Sequence, residues 1–180
     1  MNSDNDLQLV KGCIDGDLVS QKKLYERFAK KMMGVCLRYA DNYEDAQDIL
    51  QDGLIKVFKN IDSFKGSGSL EGWIRRIVVN TALATYRTSN PLRLSKGSEE
   101  LEYIPASDDD ILGSISVKDL LNIIRKLPSG YRIVFNLYAI EGYSHKEIAE
   151  QLDITESTSK SQYSRARSLL QKIIQSEEVS

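Results

Sequence analysis

Only two cysteines, three prolines, one tryptophan and one histidine occur in this chain of 180 residues. Cys13 and Cys36 are too few and too far apart for a disulfide framework or a zinc site, and each reads as a small buried hydrophobe. His145 has no legible carboxylate partner or pocket for proton transfer, and reads as an exposed residue. No apolar run approaches the ~20 residues of a membrane span. The start, "MNSDNDLQLV", is acidic and polar where a secretory signal would be basic and apolar, so the chain reads as cytoplasmic with no direct membrane insertion. Paired-carboxylate pockets, phosphate-cradling glycine loops followed by Lys-Ser/Thr and metal-ligand sets are also missing. An enzyme with a small-molecule substrate or cofactor therefore finds no support. Alternating strand patterns are nearly absent as well.

What is present describes an ordinary globular protein, with 41% hydrophobic and 28% charged residues. The length suits one domain or two small ones, since domains usually hold about 100–150 residues. A net charge of −2 argues against a protein that binds DNA unaided, but the charge is unevenly placed. Asp41, Glu44, Asp45, Asp48 and Asp52 lie in a stretch without a base. Arg75, Arg76, Arg87, Arg93 and Lys96 lie in one without an acid, and Glu99, Glu100, Glu102, Asp108, Asp109 and Asp110 follow. From Thr155 to Gln175, Lys160, Arg165, Arg167 and Lys172 face only Glu156. Two basic faces separated by acidic ones suggest nucleic acid touched in two places and something else between.

Helical spacing recurs throughout. "QKKLYERFAKKMMGVCLRYA" puts Leu24, Phe28, Met32, Val35, Cys36 and Tyr39 on one face. "EDAQDILQDGLIKVFKNI" does the same with Ala46, Ile49, Leu50, Leu54, Val57, Phe58 and Ile61. A loop at Lys65–Ser69 precedes a further helix, "LEGWIRRIVVNTALATYR". Periodicity fails from Thr88 to about Gly113 and resumes in "SVKDLLNIIRKL" and "YRIVFNLYAIEG". The fold class expected is all-α, with helical domains at 1–88 and 114–180 joined by a flexible acidic linker at 89–113.

"YSHKEIAEQLDITESTSKSQYSRARSLL" packs two helix starts into one run. Ser144 caps the first helix and Glu147 completes a capping box. Ile148, Ala149 and Leu152 face inward, Asp153 takes the sharp turn, and Ile154 plugs into the core. Thr155 caps the second helix, with Glu156 in its first turn. Ser157, Lys160, Ser161, Gln162, Ser164, Arg165 and Arg167 are expected to face solvent. This is helix-turn-helix grammar, whose second helix enters the major groove. Arg and Lys suit guanine, Gln suits adenine, and Ser serves base edges or phosphate. The competing reading is a helical hairpin with a solvated polar face.

Taken together, "DAQDILQDGLIKVFKNIDSFKGSGSLEGWIRRIVVNTALATYR" and "LPSGYRIVFNLYAIEGYSHKEIAEQLDITESTSKSQYSRAR" resemble the second and fourth conserved regions of sigma-70 family factors of the extracytoplasmic-function type. That resemblance implies a promoter-specificity subunit with two partners, core RNA polymerase and promoter DNA, and an anti-sigma protein as a regulator. Asp48, Gln51 and Asp52 are similar to the surface that docks on the clamp of the polymerase's largest subunit. Lys65, Ser67, Ser69, Arg76, Asn80 and Thr81 resemble the part that reads the opened −10 element, a step needing an extruded base and a held backbone. Lys160, Ser161, Gln162 and Arg165 stand where −35 bases are read, with Thr155, Ser157 and Arg167 as phosphate contacts. The acidic linker would run through the channel that later carries nascent RNA.

Trp73 is read as core because Ile74 and Ile77 flank the same stripe, Tyr86 as packing, and Phe64 stays open between core and base stacking. Departures from the family pattern are Asp153 for a usual Gly, Ser159 for a usual apolar residue, Leu70 for Phe and Gly72 for a hydroxyl residue. Ser159 is expected to loosen the packing of the second tandem helix. A stand-alone helix-turn-helix regulator is the alternative, and it leaves the N-terminal motifs idle.

Overall fold

The computed structural model describes residues 2–89 and 117–178, which divide between two compact units, Met1–Tyr86 and Arg87–Ser180. Every regular element among the described residues is helical, as the spacing predicts. The expected linker from Asn90 onward, with its acidic run, lies outside the described residues.

The N-terminal unit holds α1 (Asn2–Ile14), α2 (Leu18–Tyr39), α3 (Tyr43–Lys59), a 3-10 turn (Ile61–Ser63) and all but the last turn of α4 (Leu70–Ser89). Helix starts are set by side chains that satisfy the orphan amides of a first turn. Asp17 accepts from the amides of Val19 and Ser20 at 3.2 and 2.9 Å, and Asn42 accepts from that of Asp45 at 2.8 Å. The apolar faces named for α2 and α3 enter the core, with Phe58 only half-buried. Leu70, Ile74 and Val78 meet them from α4 at four-residue spacing. Each such large side chain contributes about 1.5–3 kcal/mol when fully buried. Both thiols are core groups, and burial pushes that of Cys36 up to about 12, which makes it inert as a nucleophile.

Helix α1 gives little periodic signal, because only Asp6, Val10 and Cys13 turn inward among its described side chains. It is held instead by specific contacts. The Arg27 guanidinium donates to the Asp6 carboxylate at 2.7 Å while lying 4.8 Å above the Phe28 ring. Gly12 lets α1 approach Ser20 so closely that a Cβ would collide with its hydroxyl. Leu7 reaches the loop after α3, where a Cβ on Gly66 would sit 3.1 Å from its Cδ2.

The C-terminal unit holds α5 (Val117–Arg125), α6 (Ser129–Phe135), a π-helical turn (Asn136–Ile140), α7 (His145–Leu152) and α8 (Glu156–Glu178). Ile123, Ile124 and Leu127 pack with Tyr131 and Phe135 against Ala166, Leu170 and Ile174 of α8. The buried Arg132 donates to the Arg125 carbonyl at 3.2 Å, satisfying an acceptor at the end of α5. The widened turn at 136–140 was expected as ordinary helix. Its extra residue turns Tyr138 and Ile140 outward, and the Glu141 amide closes it on the Asn136 carbonyl at 2.9 Å.

Two glycines inside helices give opposite expectations. A Cβ on Gly34 meets nothing within 4 Å, so Gly34→Ala should stabilise by about 0.5–1 kcal/mol through helix propensity. A Cβ on Gly53 lies 3.1 Å from Val78 Cγ2 at the crossing of α3 and α4, so Gly53→Leu should cost about 1–3 kcal/mol by overpacking. Urea titrations of the two variants check both signs.

Candidate nucleic-acid interface

Helix α4 starts where Ser69 Oγ accepts from the Gly72 amide at 3.0 Å. That bond occupies the hydroxyl oxygen of a residue expected to read the −10 element, leaving its proton for an outside acceptor. Lys65, Ser67 and Ser69 are exposed on a loop bent by Gly66 and Gly68, both in the left-handed region at φ 75° and 89°. Beyond the cap, the inward stripe Leu70–Ile74–Val78 forces Arg76 and Asn80 to the opposite, exposed face, one turn apart. Ala84 and Arg87 continue that face.

Thr81 departs from expectation. It is 2% exposed, and its hydroxyl donates to the Ile77 carbonyl at 2.9 Å, because position 81 falls on the inward stripe. It accepts from Lys56 Nζ at 3.3 Å, which brings a lysine of α3 to the edge of the face carrying Asn80. Spacing along α4 alone gives no sign of Lys56. Phe64 is buried, and Trp73 is half-buried with its ring centre 5.7 Å from that of Phe64. Tyr86 is half-buried.

On α3, Asp48, Gln51 and Asp52 are all exposed on one side, and no described side chain pairs with them. Ile55 extends this side by a further turn with 43% of its surface exposed. Carboxylates around an exposed aliphatic residue suit a basic partner that also offers apolar contact. The sequence pattern does not single out Ile55.

In the C-terminal unit the tandem helix forms as expected. The Glu147 amide donates to Ser144 Oγ at 3.3 Å, and the Ser144 amide donates to Glu147 Oε2 at 2.8 Å. This capping box holds the Glu147 carboxyl below its usual range. Asp153 adopts φ 55°, ψ 47°, and the Thr158 amide donates to Thr155 Oγ1 at 3.0 Å to start α8. Ile154 is half-buried.

The exposed side of α8 presents Ser157, Lys160 and Ser161, with Ser164, Arg165 and Arg167 half-buried beside it. Lys160 pairs with Glu156 at 2.7 Å, and this partner lowers the Glu156 carboxyl. Gln162 is a correction. It is 7% exposed, because the inward stripe of α8 runs Ser159, Gln162, Ala166, Leu170 and Ile174. His145 is another: its ring is half-buried, stacked on Tyr138 at 4.3 Å and 2.9 Å from Ser159 Oγ. Burial, and then Lys160, depress its pKa. Ser159, expected to loosen the helix, is fully buried and bonded.

No group of three or more potential metal ligands occurs among the described residues, and none of their helices is long and apolar enough to cross a membrane.

Family models match both halves of the chain: Sigma-70 region 2 over residues 24–91 and Sigma-70 region 4 over residues 118–170. The ECF RNA polymerase sigma-E factor of Haemophilus influenzae is 29% identical, covering 94% of this chain and 95% of that relative. The RNA polymerase sigma-H factor of Pseudomonas aeruginosa is 26% identical over 97% and 96%. The fold is shared with the sigma factor RpoE of Bartonella quintana, solved in complex with the anti-sigma factor NepR, at a TM-score of 0.52 and 22% identity over 86% of this chain and 96% of that one. The two matched regions together span more than half of the sequence, and the chain belongs to the sigma-70 family as a promoter-recognition sigma factor of the extracytoplasmic-function type. A stand-alone helix-turn-helix regulator accounts only for the second region.

Asp153 holds a left-handed conformation that favours glycine, so Asp153→Gly should stabilise the unit by about 0.5–1 kcal/mol, and Asp153→Val should destabilise it. Thermal unfolding followed by circular dichroism checks the order of the three chains.

Proposed function

We propose that the chain docks on core RNA polymerase through α3, captures the opened −10 strand with the α4 face and its preceding loop, and reads −35 duplex with α8. The observation that carries this reading is the set of exposed polar faces, on α3 and α4 of the first unit and on α8 of the second, whose residues fall within the two Sigma-70 matches. Asp48, Gln51 and Asp52, with Ile55, would meet the clamp of the largest subunit. Asn80 offers an amide that both donates and accepts, suited to an unpaired base edge, while Arg76 and Lys56 neutralise the strand backbone. Lys65, Ser67 and Ser69 line the loop beside it, and Thr81 acts by holding Lys56.

On α8, Lys160, Ser161 and Arg165 would reach base edges, and Thr155, Ser157 and Arg167 phosphates. Gln162 supports the helix from within its inward stripe. The chain carries no reaction chemistry of its own and works in the cytoplasm, where the polymerase is. An anti-sigma protein covering one or both faces would regulate it, a reading supported by the complexed state of the Bartonella relative.

Transcription in vitro with core polymerase and a promoter library tests the function. Initiation should appear at a defined pair of promoter boxes only when the chain is added, and failure on every template that core enzyme cannot already use overturns the reading. Arg165→Ala should cost about 1–3 kcal/mol at a matched −35 base and relax preference there. A loss equal across all sequences would make Arg165 a phosphate contact instead. Asp48→Asn with Asp52→Asn should weaken capture of core polymerase while leaving −35 duplex binding intact; unchanged capture at low salt would remove α3 from the docking surface.

A further inference from the structure

The inward side of a recognition helix is ordinarily apolar, and the interdigitation of those side chains fixes how the helix is rolled about its axis. In α8 the first two inward positions are polar, Ser159 and Gln162, and aliphatic packing begins only at Ala166. The turns that would enter the groove are therefore the ones with least apolar grip. Roll matters there, because successive residues are turned by about 100° and a modest rotation exchanges the side chains aimed at base edges.

A directional contact stands where the apolar knob is missing. Nδ1 of His145 and Oγ of Ser159 share a hydrogen bond of 2.9 Å, and Ser159 is fully buried. His145 is the first residue of α7, beside the capped Ser144, so its backbone is already fixed. Its ring lies nearly parallel to that of Tyr138, 4.3 Å away. Tyr163 of α8 closes on the same pair, 4.5 Å from Tyr138 and 5.8 Å from His145. Rings from the π-helical turn, α7 and α8 thus hold one imidazole nitrogen against one hydroxyl.

We propose that His145 and Ser159 are positioning residues that set the roll of α8, and with it the choice of −35 sequence. This rests on α8 being the −35 reader. A hydrogen bond suits the task because it constrains angle as well as distance, whereas an apolar contact at one position resists rotation less. Neither residue needs to touch DNA.

The test uses holoenzyme reconstituted from the full chain and core polymerase, on promoters that share one −10 element and carry matched or mismatched −35 elements. Ser159→Ala and His145→Phe, which keeps the stack but loses the nitrogen, should each lower the matched-to-mismatched ratio roughly three- to tenfold, the size expected for one hydrogen bond. Output from the mismatched promoter should hold steady. The double variant should lose no more than either single one, because both remove the same contact. His145→Asn, which places an amide near the Nδ1 position, should recover part of the ratio.

His145 is the only histidine, so its ring nitrogen signals are unambiguous by NMR, and Ser159→Ala should shift Nδ1 while the α-helical spectrum is kept. Losses that add in the double variant, or equal losses on both promoters, or an unmoved Nδ1 signal would overturn the proposal. An unaltered holoenzyme that ignores the −35 element would instead overturn the function on which it rests.

Discussion

Everything this chain presents outward depends on which side of each helix is buried. In α4 the burial of Leu70, Ile74 and Val78 leaves Arg76 and Asn80 no direction but solvent. In α3 the same constraint, through Ala46, Ile49, Leu50 and Leu54, turns Asp48, Gln51 and Asp52 away from the core. The apolar term is non-directional and large, of order a few kcal/mol per side chain, while each exposed polar group contributes little to stability. Polar faces of opposite sign can therefore lie on neighbouring helices of one unit without competing with the fold.

Burial fixes the roll of a helix, and caps fix where it begins. Asp17, Asn42, Ser69, Ser144 and Thr155 each accept a backbone amide near the start of a helix. This matters most at Ser69 and Thr155, which start the two helices whose faces meet DNA in the proposed mechanism. A helix displaced by one residue would be turned by about 100°, so a cap that fixes the first residue also fixes the face.

The helical architecture was legible because its apolar residues repeat at helical spacing: the six positions named on α2 are all buried. The capping box at Ser144 and Glu147 and the left-handed Asp153 were legible for the same local reason, since each depends on residues close in sequence. Helix α1 was not, because it is held by single contacts such as Asp6 with Arg27, which leave no periodic trace. Thr81 and Gln162 were misplaced because a polar residue at an inward position looks, in sequence, like one at an outward position. Lys56 and the bond between His145 and Ser159 were invisible because their partners lie 25 and 14 residues away.

The two helices assigned to DNA in the proposed mechanism consequently differ in what holds them. In α4 the roll is over-determined by aliphatic side chains at successive turns, and one conservative change there would be absorbed by its neighbours. In the first turns of α8 it depends on a serine, a glutamine and a cluster of rings. Polar anchors stabilise less than aliphatic ones, but they are selective, because a buried hydroxyl left without a partner costs about 1–3 kcal/mol. A single apolar contact at that position would tolerate several nearby rolls of similar energy, whereas a bonded Ser159 disfavours all but one. A helix held in that way gives up packing energy and gains definition in the direction of the side chains on its exposed face.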